Sequence, residues 1–329
     1  MNRIYSIPFN GDLELLNSLK WNNIYEVYGA PTDTQVYHGR SRKGLQNSLF
    51  TADHIEVAKI CEKHGTFFNL VLNSPYYPPE FYNDDSPLDD LIKQFSKLPN
   101  IKFTITIPQV IDKIKIWVKN PAIKVSKFAN VDSVDKVLRW KKFNIESFVL
   151  PADITKKPDE IKNLCEQGVK AAILVNDPCI KGCPMSNYHF TNSSLHSIDS
   201  NEEGYNDYCI SYCKNLMLKN PFEILRSSFI RPEDVEFYKS LGVKYFKLVD
   251  RNKPSWWIQR AINSYINQKH SGNLLELFPL FYADTIDSSF NILVENSRLE
   301  GLIERQSINC SEEICQNKCF RCNELIDFV

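Results

Sequence analysis

Short runs rich in Val, Ile, Phe and Tyr alternate along the chain with longer segments whose apolar residues recur at helical spacing. The runs Ile4–Phe9, Ile24–Tyr28, Phe67–Asn73, Lys102–Ile107, Ile123–Phe128, Ser147–Leu150, Ala171–Asn176, Glu223–Phe229 and Tyr245–Val249 each have the length and composition of a buried strand. Between them, Thr51–Cys61 (opening on Thr51 as N-cap), Asp132–Trp140, Asp159–Glu166, Pro232–Leu241 and Ser255–Asn267 carry helical periodicity. Strand–helix alternation repeated about eight times predicts a parallel sheet covered by helices. Such a sheet either closes into a (β/α)8 barrel or opens into a doubly wound fold. A doubly wound nucleotide fold usually opens on a glycine-rich turn. This chain has only 11 glycines, with no GxGxxG and no P-loop, so the TIM-type barrel is favoured. Nine strand candidates are one too many for it, so one of them belongs elsewhere.

The alternation stops after about Asn273. Residues 1–275 are therefore read as the barrel and 276–329 as a small cysteine-rich extension. The stretch Thr191–Tyr205 is polar and turn-rich, and reads as an excursion on the face that carries the site.

Charge adds an exclusion. Lys+Arg is 39 and Asp+Glu is 40, which argues against a generally basic nucleic-acid binder. A small organic substrate is favoured over RNA, although a local basic patch could still serve RNA. The N-terminus shows no apolar secretory core before a cleavage site, and no apolar run reaches ~18 residues. The expectation is a cytoplasmic protein with no membrane partner.

Ten cysteines are many for a reducing compartment, where spaced thiols read as metal or redox groups rather than disulfides. Cys179-Ile-Lys-Gly-Cys183-Pro directly follows a predicted strand, which in a barrel puts both thiols at the end where active sites are built. Cys209 and Cys213 are four apart, on one face if their segment is helical. Together the four make a four-thiolate site. Neither pair has the C-x2-C spacing of a zinc knuckle, and the wider [4Fe–4S] cuboid tolerates x3 spacing. Structural zinc and plain core packing are the alternatives. Cys310, Cys315, Cys319 and Cys322 form a second metal motif, for which a second [4Fe–4S] cluster and a small zinc unit fit the spacing about equally. Cys61 and Cys165 stand alone on apolar helix faces and read as core residues.

These residues resemble the collagenase-like peptidase U-32 family over roughly residues 1–275. The resemblance is carried by Ile24-Tyr-Glu-Val-Tyr-Gly29, Tyr37-His-Gly-Arg-Ser-Arg42, Cys61-Glu-Lys-His-Gly65 into Phe67–Asn73, and Asn176-Asp-Pro-Cys-Ile-Lys-Gly-Cys-Pro184 with His189-Phe-Thr-Asn192. Phe229-Ile-Arg-Pro-Glu-Asp234 and Leu241–Arg251 complete it. The family often reads Lys-x-Glu-Gly-Arg where this chain has Lys247-Leu-Val-Asp-Arg251. The tail cysteines are an addition to the common family core. The resemblance implies an iron–sulfur barrel protein. Several members act in oxygen-independent hydroxylation of RNA bases or quinone precursors, which implies an electron-donor protein as partner. The older family label is peptidase, yet the chain has no GxSxG and no HExxH motif.

Asn73, Arg226, Lys247 and Arg251 each sit in or just after a predicted strand and are expected to line a pocket beside the cluster. A lysine inside a barrel is rare unless paired, so Lys247 is a candidate for holding a substrate anion, with a salt bridge to Asp250 as the plainer role. Arg40, Arg42 and Lys43 form a basic loop that could hold a carboxylate or phosphate. His189 is a candidate proton donor or substitute ligand, although a lone loop histidine is more often neither.

Overall fold

The protein is described from a computed structural model. It covers residues 3–42, 47, 49–198, 208–287, 290–303 and 325, and the backbone of 327–328. Eight parallel strands close in sequence order into a barrel: β1 (Tyr5–Pro8), β2 (Ile24–Gly29), β3 (Phe67–Leu72), β4 (Ile101–Ile105), β5 (Ala122–Val125), β6 (Ser147–Val149), β7 (Ala171–Leu174) and β8 (Tyr245–Lys247). Strand β8 pairs back onto β1, with Ser6 opposite Lys247.

Helices α1 (Glu14–Asn17), α2 (Thr51–Lys63), α3 (Pro87–Phe95), α4 (Gln109–Trp117), α5 (Val134–Lys141) and α6 (Pro158–Glu166) connect successive strands. Helices α7 (Ser186–Leu195), α8 (Tyr208–Lys219), α9 (Phe222–Arg226) and α10 (Val235–Ser240) fall between β7 and β8, and α11 (Ser255–Ile266) follows β8. Outward strand residues such as Ile7, Val27, Phe68, Leu70, Phe103, Ile123, Ile173 and Phe246 are buried in one core with the helices' apolar faces. No helix among the described residues is long and apolar enough to cross a membrane.

Three expectations change. Glu223–Phe229 is not a strand: Phe222–Arg226 is helix α9. Glu, Ile, Leu and Arg are competent helix residues, and a short segment with two adjacent apolar residues does not separate strand from helix. Thr51 is the first helical residue rather than the N-cap, and its N–H and hydroxyl both donate to the Asp33 carboxylate. His189 and the start of the polar excursion lie on helix α7 rather than in a loop, and residues 199–207 lie outside the described residues.

The barrel interior is charged where aliphatic layers are usual. Glu26 on β2 and Lys124 on β5 are three strands apart, so their 2.5 Å ion pair can only cross the inside of the barrel. The Glu26 carboxylate also accepts from Ser6 Oγ (2.7 Å) and Asn69 Nδ2 (3.0 Å), and Thr104 Oγ1 donates to Asn69 Oδ1 (2.8 Å). Burial alone would raise the Glu26 pKa. The Lys124 charge and these hydrogen bonds outweigh it and hold the carboxyl below its usual range. The register of β2 on β1 slips at Tyr25, because Tyr5 faces Ile24 while Ser6 faces Glu26. This bulge lets Tyr25 turn inward beside Glu26. Its ring stacks on Tyr245 at 3.9 Å, closing the N-terminal end of the barrel.

Residues 274–287 and 290–303 pack on the barrel. Leu274, Leu277, Phe278, Phe281, Val294 and Leu299 are fully buried in the same core. β9 (Ile292–Leu293) pairs antiparallel with β10 (Asp327–Phe328). Cys310, Cys315, Cys319 and Cys322 lie outside the described residues.

Candidate functional site

At the C-terminal end of the strands is a pocket of about 610 Å³, its open mouth included. Tyr28, Val71, Val149, Leu174 and Lys247 line its depth. Asn73, Ser126 to Phe128, and Val249 to Arg251 come from the segments that follow their strands, and His38 to Arg40 from the loop after β2.

The loop is held by Asn73, whose Oδ1 accepts from the Gly39 N–H at 2.9 Å. A Cβ at position 39 would lie 2.2 Å from the Phe128 ring, so only glycine lets the loop approach this closely. Arg42 braces the same loop from behind through Ser197 O and Thr34 O, while Arg40 reaches Asp250 at 3.6 Å. Lys43 lies outside the described residues.

Lys247 is 8% exposed, with Nζ 3.8 Å from the centroid of the Tyr28 ring. It makes no hydrogen bond or ion pair with the described residues. Burial, then the Lys124 charge, pushes its pKa down to about 7; Glu26 opposes this, but Lys127 and Arg40 add to it. The Glu26 carboxylate, whose charge Lys247 feels, is hydrogen-bonded by Ser6, Asn69 and Lys124 and makes no direct contact with Lys247 among the hydrogen bonds and ion pairs of the described residues.

Arg251 is also buried. Its Nη1 donates to Ala30 O (3.1 Å), Nη2 donates to His38 Nδ1 (2.8 Å), and Nε has no partner. Because Nδ1 accepts, the neutral His38 carries its proton on Nε2. Burial, then the Arg251 and Arg42 charges, holds His38 well below the ordinary histidine pKa. Asn176 secures the segment leading to Arg251. Its Oδ1 accepts from Val249 N (2.8 Å), and its Nδ2 donates to Val249 O and to Leu277 O (3.1 Å).

A second cavity of about 410 Å³ adjoins the first and shares Lys127 and Phe128 with it. Cys179, Cys183, Asp153 and Phe190 line it. Lys127 pairs with Asp177 on the shared wall. Gly182, at φ +67°, donates its N–H to Asp153 Oδ1 at 2.7 Å, which shapes the loop between Cys179 and Cys183.

Cys209 and Cys213 lie one turn apart on α8, Cys209 buried and Cys213 half-buried. Burial, then the nearby Cys179, Cys183 and Cys209 thiols, pushes Cys213 up to about 12. Cys179 is raised to about 11, chiefly by burial. None of the four is in a disulfide; two come from one loop and two from one helix, and thiols are donors of the kind that suit a soft metal or an iron–sulfur cluster. As the side chains stand, no three His, Cys, Asp or Glu among the described residues form a group able to hold a metal ion.

Of the residues expected from the sequence, Asn73, Lys247 and Arg251 come together in the first pocket. Arg226 does not: at helical spacing its Nη1 meets Glu223 at 2.9 Å, and it lines neither cavity. His189 lines neither cavity and stacks on Phe190 at 5.6 Å between ring centres. His38, Tyr28 and Lys127 were missed as pocket residues. The available signal was the position of His38 beside Gly39 and Arg40 in a loop following a strand. Cys61 is core, as expected, and Cys165 packs half-buried against Gly242.

No protein-family model matches the chain. Over 342 aligned residues it is 31% identical to a Methanocaldococcus jannaschii protein named uncharacterized protease MJ1657, covering 98% of each chain. Its fold is similar to the structure of the U32 peptidase Mk0906, with a TM-score of 0.55 at 13% identity, over 76% of this chain and 93% of that one. On the full-length relative, with the fold in agreement, the chain belongs to the peptidase U32 family.

Proposed function

We propose that this U32 protein is an iron–sulfur-dependent redox enzyme that modifies an anionic organic small molecule in the Lys247–Arg251 pocket. The observation that supports the reading is adjacency: Cys179 and Cys183 line a cavity that shares a wall with the cationic pocket at Lys127 and Phe128, and Cys213 on α8 feels the Cys179, Cys183 and Cys209 thiols. Cys179, Cys183, Cys209 and Cys213 would hold a [4Fe–4S] cluster. When bound, it would supply one-electron transfer to the neighbouring pocket. Lys247 and Arg251 would bind the substrate anion, Asn73 would hold the loop over it, and neutral His38 would offer an N–H from Nε2. Oxygen-independent hydroxylation is the form of redox chemistry that the family resemblance implies, with a separate protein as electron donor. The tail cysteines would hold a second centre, either a cluster or zinc.

A hydrolase is the second reading, favoured by the word protease in the relative's name and peptidase in that of the similar structure. Against it, Cys179 is a raised-pKa thiol and so a weak nucleophile at neutral pH. Ser126 Oγ caps the turn after β5, accepting from Phe128 N at 3.3 Å.

The test is anaerobic purification with an absorption spectrum, followed by a peptide- and gelatin-hydrolysis assay before and after iron removal. A broad visible band bleached by dithionite, with no hydrolysis, is expected. Hydrolysis that persists in iron-free protein would favour the second reading.

A further inference from the structure

We propose that Lys247 is a covalent capture residue, forming an imine with the carbonyl group of an anionic aldehyde or ketone bound in the pocket. The inference rests on the pocket being the substrate site, but not on the redox chemistry proposed for it.

The geometry isolates this amine. Arg40 is matched by Asp250 and Lys127 by Asp177, whereas Lys247 and Arg251 make no ion pair with the described residues. Lys247 stands over the Tyr28 ring, which can receive an ammonium but cannot take its proton. Glu26, the carboxylate whose charge acts on it, is already engaged by three donors. An unpaired lysine in a mostly buried, like-charged setting gives up its proton readily, and the pKa of about 7 agrees with that.

The two unpaired cations also choose the ligand. A neutral carbonyl compound would leave Arg251 uncompensated, while one carrying a carboxylate or phosphate would neutralise it. In the reaction the amine nitrogen attacks the carbonyl carbon and a C–N bond forms. The carbonyl oxygen leaves as water with the two protons the ammonium gives up. No oxidant or reductant is needed.

The test uses wild-type full-length protein at neutral pH, with glyoxylate as probe and cyanoborohydride to reduce any imine, read by peptide mass mapping. Lys59 and Lys162, both largely exposed, serve as internal references. A lysine near pKa 7 holds far more free amine than an ordinary one, so carboxymethylation of Lys247 is expected at least about tenfold faster than of either reference. With acetaldehyde, which lacks the carboxylate, the preference should shrink severalfold. Labelling of Lys247 no faster than Lys162 would overturn the proposal. Equal preference for both probes would overturn its anionic half. Iron-free protein that still labels Lys247 fails the redox reading and keeps this one. Protein that holds four irons per barrel centre and leaves Lys247 unlabelled does the reverse.

Discussion

Arg251 donates from Nη2 to Nδ1 of His38 at 2.8 Å; the bond orients the histidine and, after its burial, helps keep it uncharged. A protonated His38 would have no lone pair to accept it. In ¹⁵N-resolved NMR, His38 should therefore stay neutral well below the range in which an ordinary histidine charges. Replacing Arg251 by Met should bring its titration closer to the ordinary range. A His38 signal that titrates normally in the wild type would refute the geometry.

Lys247 makes stability depend on pH in a definite direction. Its folded pKa is pushed down to about 7, while in the unfolded chain it returns to the ordinary lysine value of about 10.5. Below about pH 7 both states hold the proton and the cost of burying the charge is felt in full. Between the two values the unfolded chain binds more protons, so this residue's contribution favours the folded state increasingly as pH rises. Denaturant midpoints of wild type and Lys247→Met should therefore converge or cross from pH 7 to 10, with the variant relatively more stable at the lower pH. A difference independent of pH would count against an unpaired Lys247.

The Glu26–Lys124 pair is a buried charge pair, and breaking one side strands the other. Glu26→Gln should cost about 3–5 kcal/mol in urea unfolding, whereas a double replacement by apolar residues of similar volume should cost much less. Equal losses from the single and double variants would show that Lys124 does not depend on Glu26.

Much of this was readable from the chain. The barrel follows from eight strands that alternate or run apolar between helices, and Lys247, Arg251 and Asn73 follow from their places at strand ends. What escaped are relationships between distant positions. His38 becomes a pocket residue through Arg251, 213 positions away. The charged barrel interior depends on Glu26 and Lys124, 98 apart, and on a bulge at Tyr25 that no periodicity announces. Arg226 was misplaced because four apolar or amphipathic residues look alike as strand and helix.

Asn176 answers both backbone groups of Val249, just before the segment that carries Arg251. Asn176→Leu leaves a buried N–H and carbonyl without partners, each worth about 1–3 kcal/mol. A drop in stability of that order is expected, with slower glyoxylate labelling of Lys247 because the end of β8 loses its anchor. Full stability in the variant would mean that Val249 is held by other contacts.

The most direct measurement is iron and acid-labile sulfide content, determined anaerobically on protein truncated before Asn309, so that only the barrel thiols are counted. Wild-type sequence in this form should carry about four irons and four sulfides, the content of one cuboidal cluster. Cys183→Ala and Cys213→Ala, one from the loop and one from α8, should each lose most of both. Iron and sulfide unchanged in both variants would contradict a cluster held by Cys179, Cys183, Cys209 and Cys213.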